Sequence, residues 1–220
     1  MTRIAIAGGH GQIALHLTRL LAADGHEVRA LIRNPDHRAD VEDAGGSPHL
    51  IDLEDAGADE LASALEGCDV LVFAAGAGPG SGAARKETVD YGAAVALRDA
   101  CSAAGVRRYV MVSAMGTDDP PDGDDVFDVY LRAKSRADAA LADSDLDWTI
   151  IRPGRLTDEP STGRVALARH VDAGEIPRAD VAAVLAAVIE RPASAGLTLE
   201  VVSGDEDVAD AVDRVARPSS

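Results

Sequence analysis

The sequence predicts an α/β fold in which a doubly wound parallel sheet forms a single domain over residues 1–217. Short apolar segments typical of buried strands alternate with amphipathic helical segments, and this alternation favours a parallel sheet with helices on both faces. At 220 residues the chain can form one full α/β core and needs no second domain. We expect residues 154–180 to contribute a small substrate-side region and residues 218–220 to be a disordered tail.

The individual elements follow from apolar periodicity and from turn residues. Strands are predicted at residues 3–7, 28–32, 49–53, 69–73, 109–113, 148–151 and 197–202. Helices are predicted after the first glycine turn as far as Asp24, and at residues 60–65, 85–104, 129–141, 180–189 and 208–215. We expect Pro153 to close the sixth strand, because proline cannot continue a central ladder.

A glycine-rich turn directly follows the first strand. Gly8 allows a tight turn, and Gly11 leaves no Cβ where the backbone would approach a pyrophosphate. The small Ala14 lets the next helix pack close to the strand, and the N-terminus of that helix presents free N–H groups to an anion. The spacing Gly-x-x-Gly-x-x-Ala therefore predicts a dinucleotide site, with a βα turn that binds no ligand as the alternative.

Residues after the second strand bear on the choice of cofactor, because ligands of a doubly wound sheet bind beyond the carboxyl ends of its strands. Arg33 stands at this position and Arg38 lies a few residues further on, with no carboxylate at the strand end. A guanidinium there would bind the 2′-phosphate of NADP, so we expect NADP rather than NAD. The alternative is that Arg33 is a solvated loop residue.

Two further strand ends offer weaker cofactor contacts. Asp52 would hydrogen-bond the amino edge of the adenine and Leu53 would pack against it. Ala74, Ala75 and Gly76 provide small residues where the backbone would lie against a ribose. Small residues at strand ends are common in α/β proteins, and Asp52 could equally cap the next segment.

Tyr130 and Lys134 form the candidate catalytic pair. They are four residues apart on a predicted helix and therefore share one face. The ammonium group would lower the pKa of the phenol from its reference value of ~10 and would reach ribose hydroxyls. Ser113, at the end of the fifth strand, would orient a substrate carbonyl. An ordinary surface pair is the alternative, but Lys134 is one of only two lysines in the chain.

The net charge of −17 excludes general nucleic-acid binding, because phosphates would be repelled. Dispersed acids and arginine-rich cations are typical of halophilic proteins, although a GC-rich genome could also favour them. Cys68 and Cys101 show no metal spacing, so we predict reduced packing residues and no metal site. With no signal-peptide pattern and no apolar segment of ~20 residues, we expect a cytoplasmic protein without membrane contacts, as a monomer or weak homo-oligomer.

These motifs together resemble an atypical short-chain dehydrogenase/reductase, in particular the small single-domain proteins that are NAD-dependent epimerase/dehydratase-like. Flavin and biliverdin reductases are similar too. The motifs that carry the resemblance are Gly8-x-x-Gly11-x-x-Ala14, Asp52-Leu53, Ala74-Ala75-Gly76, Ser113, Tyr130-x-x-x-Lys134 and Arg152-Pro153-Gly154.

The resemblance implies a Rossmann fold that binds NADP at the glycine turn. It also implies that Tyr130 acts as the acid or base, with Lys134 and Ser113 assisting. Contacts with the pyrophosphate or the nicotinamide are implied for Gln12, Ile13 and Pro153.

The expected activity is hydride transfer from NADP(H) to a small carbonyl, quinone or flavin substrate. One alternative is a protein that binds the same cofactor and reports its redox state without catalysis. A second is a sugar epimerase or dehydratase, which is less favoured because extended epimerases carry a larger C-terminal substrate domain than this chain can supply.

Overall fold

The computed structural model describes residues 1–78 and 80–217, so the predicted tail at residues 218–220 lies outside the described residues. The strands are β1 (Arg3–Ala7), β2 (Glu27–Ile32), β3 (Ser47–Leu50), β4 (Val70–Phe73), β5 (Arg108–Val112), β6 (Asp147–Pro153), β7 (Arg155–Thr157), β8 (Arg164–Ala168), β9 (Glu175–Pro177), β10 (Leu197–Ser203) and β11 (Glu206–Asp207). In the described residues, β7 and β9 form a small second sheet and the other nine strands form one large sheet.

The large sheet has the strand order β11-β8-β10-β6-β5-β4-β1-β2-β3. In the part of this order that runs β10-β6-β5-β4-β1-β2-β3, every strand is parallel to its neighbours. The order β3-β2-β1-β4-β5-β6 is that of a Rossmann fold, which confirms the predicted doubly wound sheet. Beyond β10 the edge is antiparallel, because β8 pairs with β10 and β11 pairs with β8 in the opposite direction.

Helices cover both faces of this sheet. They are α1 (Gln12–Ala23), α2 (Arg38–Asp43), α3 (Ala58–Leu65), α4 (Ala83–Arg85), α5 (Ala94–Ala104), α6 (Val126–Ala142), α7 (Arg178–Ile189) and α8 (Val208–Val215). A π-helical segment, Lys86–Ala93, joins α4 to α5 where the sequence predicts one regular helix over residues 85–104. Apolar spacing did not reveal this change of helix type, and π-helical turns often occur at functional sites.

Three predicted boundaries were wrong by a few residues. Helix α6 begins at Val126 rather than at residue 129, because the Asp125 carboxylate accepts a hydrogen bond from the Asp128 N–H (2.8 Å) and caps the helix. Strand β3 ends at Leu50, before the predicted end at residue 53. Strand β6 extends past the predicted residue 151 but ends at Pro153, the residue expected to close it, whose carbonyl accepts a hydrogen bond from the Met115 N–H (3.2 Å).

Apolar side chains fill the space between the sheet and the helices. Leu17 of α1 belongs to the core on one face and Leu61 of α3 to the core on the other. Both cysteines are free and buried, and burial raises the pKa of the Cys101 thiol to about 12. None of the helices in the described residues combines the length and apolar character needed to cross a membrane.

A buried carboxylate anchors residues 161–163 to helix α7. Asp180, in the first turn of α7, is fully buried and accepts hydrogen bonds from the Ser161 hydroxyl, from the Thr162 hydroxyl and N–H, and from the Gly163 N–H. Burial alone would raise the pKa of Asp180, but these hydrogen bonds outweigh it and hold the pKa below its usual value. The carboxylate is therefore charged at neutral pH.

We expect Asp180→Asn to lower the free energy of unfolding by about 1–3 kcal/mol at pH 7, because the amide cannot accept all four hydrogen bonds. Since the folded pKa is lowered, the stabilisation by Asp180 is present above the unfolded pKa of ~3.9 and declines as the pH falls through the folded value. Urea unfolding at pH 7, 5 and 3 measures this. Asp158→Asn is the matched control, because Asp158 is an exposed carboxylate that pairs with Arg178. If Asp180→Asn lowers the free energy of unfolding by the same amount at all three pH values, the charged Asp180 carboxylate is not the source of the stabilisation.

Candidate functional site

A cleft of about 530 Å³ lies at the carboxyl ends of β1 to β4, and we call it the main cleft. It is lined by residues 8–11, 31–34, 51–54 and 74–76, together with His37 and Arg85 among others. The strand order reverses between β1 and β4, and this is where doubly wound proteins bind nucleotides. Among the predicted cofactor residues, the main cleft brings together Gly8, Gly11, Arg33, Asp52, Leu53, Ala74, Ala75 and Gly76.

The glycine turn has the geometry of a phosphate cradle. Gly8 has φ +76°, and a Cβ there would lie 2.6 Å from the Cα of Ala75. Gly11 is exposed to the cleft and precedes α1, whose first turn has no side-chain cap among the described residues. The first N–H groups of α1 thus remain available to an anion. These features fit the pyrophosphate of a dinucleotide.

Arg33 lies in the main cleft, but it faces the carboxylates of Glu54, which the sequence interpretation missed, and of Asp52, which it assigned to the adenine. Its guanidinium lies 3.2 Å from the Glu54 carboxylate and 4.0 Å from that of Asp52. Glu54 also accepts hydrogen bonds from Arg85 (2.6 Å) and from the Thr88 hydroxyl (2.6 Å). Hydrogen bonding by Arg85 holds the pKa of Glu54 below its usual range, so Glu54 is charged at neutral pH. Glu54 lies a few residues after the end of β3. The sequence alone did not show that this segment lies beside Arg33 at the end of β2.

Arg38 does not line the main cleft among the described residues, whereas His37 does. The ring of His37 stacks on that of His10, with ring centroids 3.5 Å apart. His10 also contacts the Asp40 carboxylate through Nε2 (2.7 Å). The sequence interpretation missed both histidines, because neither belongs to a motif and the contact depends on how α2 packs beside the glycine turn.

The three predicted catalytic residues meet in a second cavity of about 290 Å³, which we call the inner cavity. It is lined by Ser113, Tyr130 and Lys134 and, among others, by Lys86 and Asp90. Residues 74–76 line the inner cavity and the main cleft alike, so the two spaces adjoin. The two lysines of the chain, far apart in sequence, thus line one cavity.

Lys134 is held by a buried carboxylate. Its Nζ donates a hydrogen bond to the Val112 carbonyl (3.0 Å) and lies 3.4 Å from Oδ1 of Asp90. The other oxygen of Asp90 accepts a hydrogen bond from the Ala77 N–H (3.1 Å), and Asp90 is fully buried. The sequence interpretation missed Asp90, which lies in the π-helical segment.

The effect expected of Lys134 on Tyr130 was wrong. Burial raises the pKa of the Tyr130 phenol above its usual value, and the carboxylates of Asp90 and Asp138 raise it further. Because Lys134 pairs with Asp90, its positive charge is largely compensated next to the phenol. Tyr130 is therefore a neutral phenol at neutral pH and can donate a proton.

Ser113 provides a buried hydroxyl without a partner. Its Oγ and the Oδ1 atom of Asp138 are both buried, and neither meets a partner with full hydrogen-bond geometry within the described part of the chain, although the hydroxyl is near enough to the Asp138 carboxylate to act on its pKa, against the stronger effect of burial, which raises it. The other oxygen of Asp138 accepts hydrogen bonds from Thr117 (3.1 Å) and Arg152 (2.9 Å). An unsatisfied hydroxyl in a polar cavity favours a ligand atom as its missing partner.

The remaining predicted contacts are divided among different places. Ile13 lines the inner cavity together with Leu156, a residue that was not predicted. Gln12 instead lines a separate cavity of about 310 Å³ with residues 157–161 of the substrate-side region. Pro153 is buried at the end of β6 and lines none of these three cavities among the described residues. Its predicted contact with the nicotinamide stays a prediction.

Asp118, His170 and Glu200 each place one ligand atom within 4.8 Å of the others. Two of them already have partners, because Arg152 binds Asp118 and the Val171 N–H donates to Glu200 (2.9 Å). The cluster was not visible in the sequence, since its members come from three distant segments. The absence of a metal site stays a prediction.

The Asp90–Lys134 pair generates a test by double-mutant cycle. We expect Asp90→Asn and Lys134→Met each to lower the free energy of unfolding by about 3–5 kcal/mol, because each leaves one polar group buried without its partner. The double variant should lose less than the sum of the two. Urea unfolding measures all four proteins, with Asp99→Asn at the exposed Asp99–Arg98 pair as the control. Strict additivity would show that the pair does not interact.

Comparison with known proteins agrees with this geometry. The chain matches the family model described as NAD(P)H-binding over residues 8–192. It is 33% identical over 214 residues to the uncharacterized sugar epimerase YhfK of Bacillus subtilis, covering 97% of this chain and 100% of the relative. A Bacillus halodurans structure named as an NAD-dependent epimerase/dehydratase is 35% identical, with a TM-score of 0.92 over 98% of this chain and 100% of that one. The anaerobillin reductase ChuY of Escherichia coli O157:H7 is 25% identical, with a TM-score of 0.78 over 94% and 99%. The chain therefore belongs to the NAD(P)H-binding family, and its sheet has the Rossmann fold.

Proposed function

We propose that this protein is an NADP-dependent oxidoreductase that reduces a small carbonyl, quinone or flavin. The observation that carries the proposal is the meeting of Ser113, Tyr130 and Lys134 in a cavity that adjoins the main cleft. A substrate oxygen in the inner cavity would lie among a phenol, a free hydroxyl and the small residues that border the cofactor site.

Each side chain has a distinct task in this reaction. A nicotinamide bound at the glycine turn would supply a hydride, that is two electrons, and the oxygen of a carbonyl or quinone substrate would then become negatively charged. The Tyr130 phenol, protonated at neutral pH, donates the proton that this oxygen takes up. The Ser113 hydroxyl orients the same oxygen, and Lys134, held by Asp90, positions the helix face that carries Tyr130.

The names of relatives support a reductase without deciding the substrate. ChuY is named as an anaerobillin reductase, whereas the Bacillus subtilis relative is named as an uncharacterized sugar epimerase. We favour a reductase, because the raised pKa of Tyr130 disfavours the phenolate that would be needed to begin a reaction by removing a proton from a sugar hydroxyl.

The preference for NADP is also part of the proposal. When a 2′-phosphate enters, Arg33 can exchange Glu54 for the phosphate, because Arg85 and Thr88 continue to hold the Glu54 carboxylate. Asn34 and His37 line the same part of the main cleft and supply further polar groups. Arg33 is half-exposed, so this exchange requires little desolvation.

We expect NADP⁺ to bind at least tenfold more tightly than NAD⁺, a difference of about 1.4 kcal/mol. Arg33→Ala should abolish most of this preference, and Glu54→Gln should increase it, because Glu54→Gln removes the carboxylate that competes for Arg33. Calorimetric titration of both cofactors measures the ratio. Arg3→Ala, at an exposed pair with Glu27, is the matched control. Equal affinities in the parent, or a ratio unaffected by Arg33→Ala, would rule out the NADP assignment.

We expect Tyr130→Phe to lower turnover with NADPH by about 10²–10⁴-fold, because the variant lacks the proton donor but keeps the ring. Its affinity for NADPH should stay within about twofold of the parent. Tyr91→Phe is the control, since Tyr91 packs under Arg136 and lines neither the main cleft nor the inner cavity among the described residues. Steady-state reduction of aldehyde, quinone and flavin acceptors measures turnover.

Two results would overturn this proposal. Activity of Tyr130→Phe within a few-fold of the parent would remove the acid role and indicate a proton from solvent. NADPH binding without turnover of any acceptor class would favour the non-catalytic redox sensor instead.

A further inference from the structure

A third cavity of about 320 Å³ opens beside the inner cavity, and we call it the outer pocket. The described residues that line it are 78, 80, 81, Lys86, Val126, Phe127 and Tyr130. Lys86 and Tyr130 line the outer pocket and the inner cavity alike. A substrate whose reactive end contacts Tyr130 in the inner cavity would therefore extend into the outer pocket.

Lys86 is a cation without a counter-ion in this pocket. The residue is only 9% exposed, and its Nζ donates one hydrogen bond, to the Gly78 carbonyl (3.0 Å). Within the described ranges, no carboxylate oxygen lies within the 4.0 Å of an ion pair with Lys86. An ammonium group has three donors, so two remain for a ligand. Burial of an unpaired charge is costly, and an anion in the pocket would remove that cost.

The neighbouring side chains favour a flat ligand. Phe127 is 63% exposed although it is a large apolar residue. Its ring lies 5.9 Å from that of Tyr130, and the two planes are inclined by 32°. The Lys86 ammonium lies 5.2 Å from the centre of the Tyr130 ring. Two aromatic faces beside one cation can contact a planar apolar body and bind a negative group at its end.

The charge of the pocket contrasts with that of the whole chain. The chain has 38 acidic residues against 21 basic ones, yet Lys86 is the one charged residue among the described residues that line the outer pocket. Asp90 lines the inner cavity but is paired with Lys134. An anionic ligand would thus meet an attractive group locally on a surface that repels anions in general.

We propose that the substrate is a planar aromatic molecule with an anionic group, and that Lys86 binds this group in the outer pocket while the reducible end contacts Tyr130. The part of the proposal that concerns the reducible end rests on the proposed function. The binding of an aromatic anion by Lys86 does not depend on turnover.

A phosphate of the cofactor is the other source of an anion for Lys86. The lining of the main cleft includes Arg85 but not Lys86 among the described residues. This placement favours the substrate, and the affinity of the Lys86→Gln variant for NADP⁺ distinguishes the two sources.

The first experiment measures binding with an uncharged isostere as reference. Naphthalene-2-carboxylate and naphthalene-2-carboxamide are titrated calorimetrically into the full chain, with and without NADP⁺. We expect the carboxylate to bind at least tenfold more tightly than the amide, and Lys86→Gln to bring this ratio close to one. Lys86→Arg should preserve the ratio. Arg107→Gln makes the same charge change at an exposed pair with Asp147 and should leave the ratio as in the parent.

Several outcomes of this experiment overturn the proposal. The proposal fails if the parent binds the carboxylate and the amide with similar affinity, or if the carboxylate does not bind measurably. It also fails if Lys86→Gln has the same carboxylate-to-amide affinity ratio as the parent. If Lys86→Gln weakens NADP⁺ binding tenfold and leaves the ratio unchanged, the anion recognised by Lys86 is a cofactor phosphate, and the substrate assignment fails.

The second experiment separates this proposal from the proposed function. Initial rates with NADPH are compared for 1,4-naphthoquinone-2-sulfonate and for uncharged 2-methyl-1,4-naphthoquinone. The sulfonate-to-neutral ratio of kcat/KM should fall at least tenfold in Lys86→Gln relative to the parent, and not in Arg107→Gln. If neither quinone is reduced and no other acceptor is turned over, the oxidoreductase proposal fails, while the binding ratio still decides the role of Lys86.

Discussion

The buried ion pair of Asp90 and Lys134 is the interaction on which the candidate active site depends. One oxygen of Asp90 accepts a hydrogen bond from Ala77 after β4, while its other oxygen faces Lys134 of α6. Lys134 in turn donates to the Val112 carbonyl at the end of β5. The pair therefore joins two strand ends, the π-helical segment and α6 around one cavity. Ion pairs of this kind are costly to break, because removing one partner leaves the other as an uncompensated buried charge.

This pairing changes how the Tyr-x-x-x-Lys motif operates here. An unpaired ammonium would lower the pKa of Tyr130 and favour its phenolate. Because Asp90 compensates the charge of Lys134, burial has the largest effect on this pKa and raises it. The phenol then suits proton donation in reduction better than proton removal in oxidation. The two lysines also differ in their surroundings, since Lys134 pairs with Asp90 whereas Lys86 has no carboxylate partner within the part of the chain that the structure describes.

Charge compensation is also important in the main cleft. Arg33, Glu54 and Arg85 form a chain of two cations around one carboxylate. Such an arrangement can release Arg33 to a phosphate without leaving Glu54 unpaired. The halophilic character, the cytoplasmic location and the oligomeric state stay predictions, because they concern surfaces and surroundings rather than the contacts described.

The sequence by itself determined the fold class, the glycine turn, the position of Ser113 after the fifth strand, and the shared helix face of Tyr130 and Lys134, whereas the tertiary structure brought Ser113 to the other two in one cavity. These features depend on local periodicity and on the rule that parallel strands end at one edge of a sheet. Only the tertiary structure decided which charges meet: Glu54 lies beside Arg33, Asp90 lies beside Lys134, and Lys86 has no counter-ion among the described residues. Electrostatic partners come from segments distant in sequence, and both the burial and the pairing that set their energies exist only after the chain has packed.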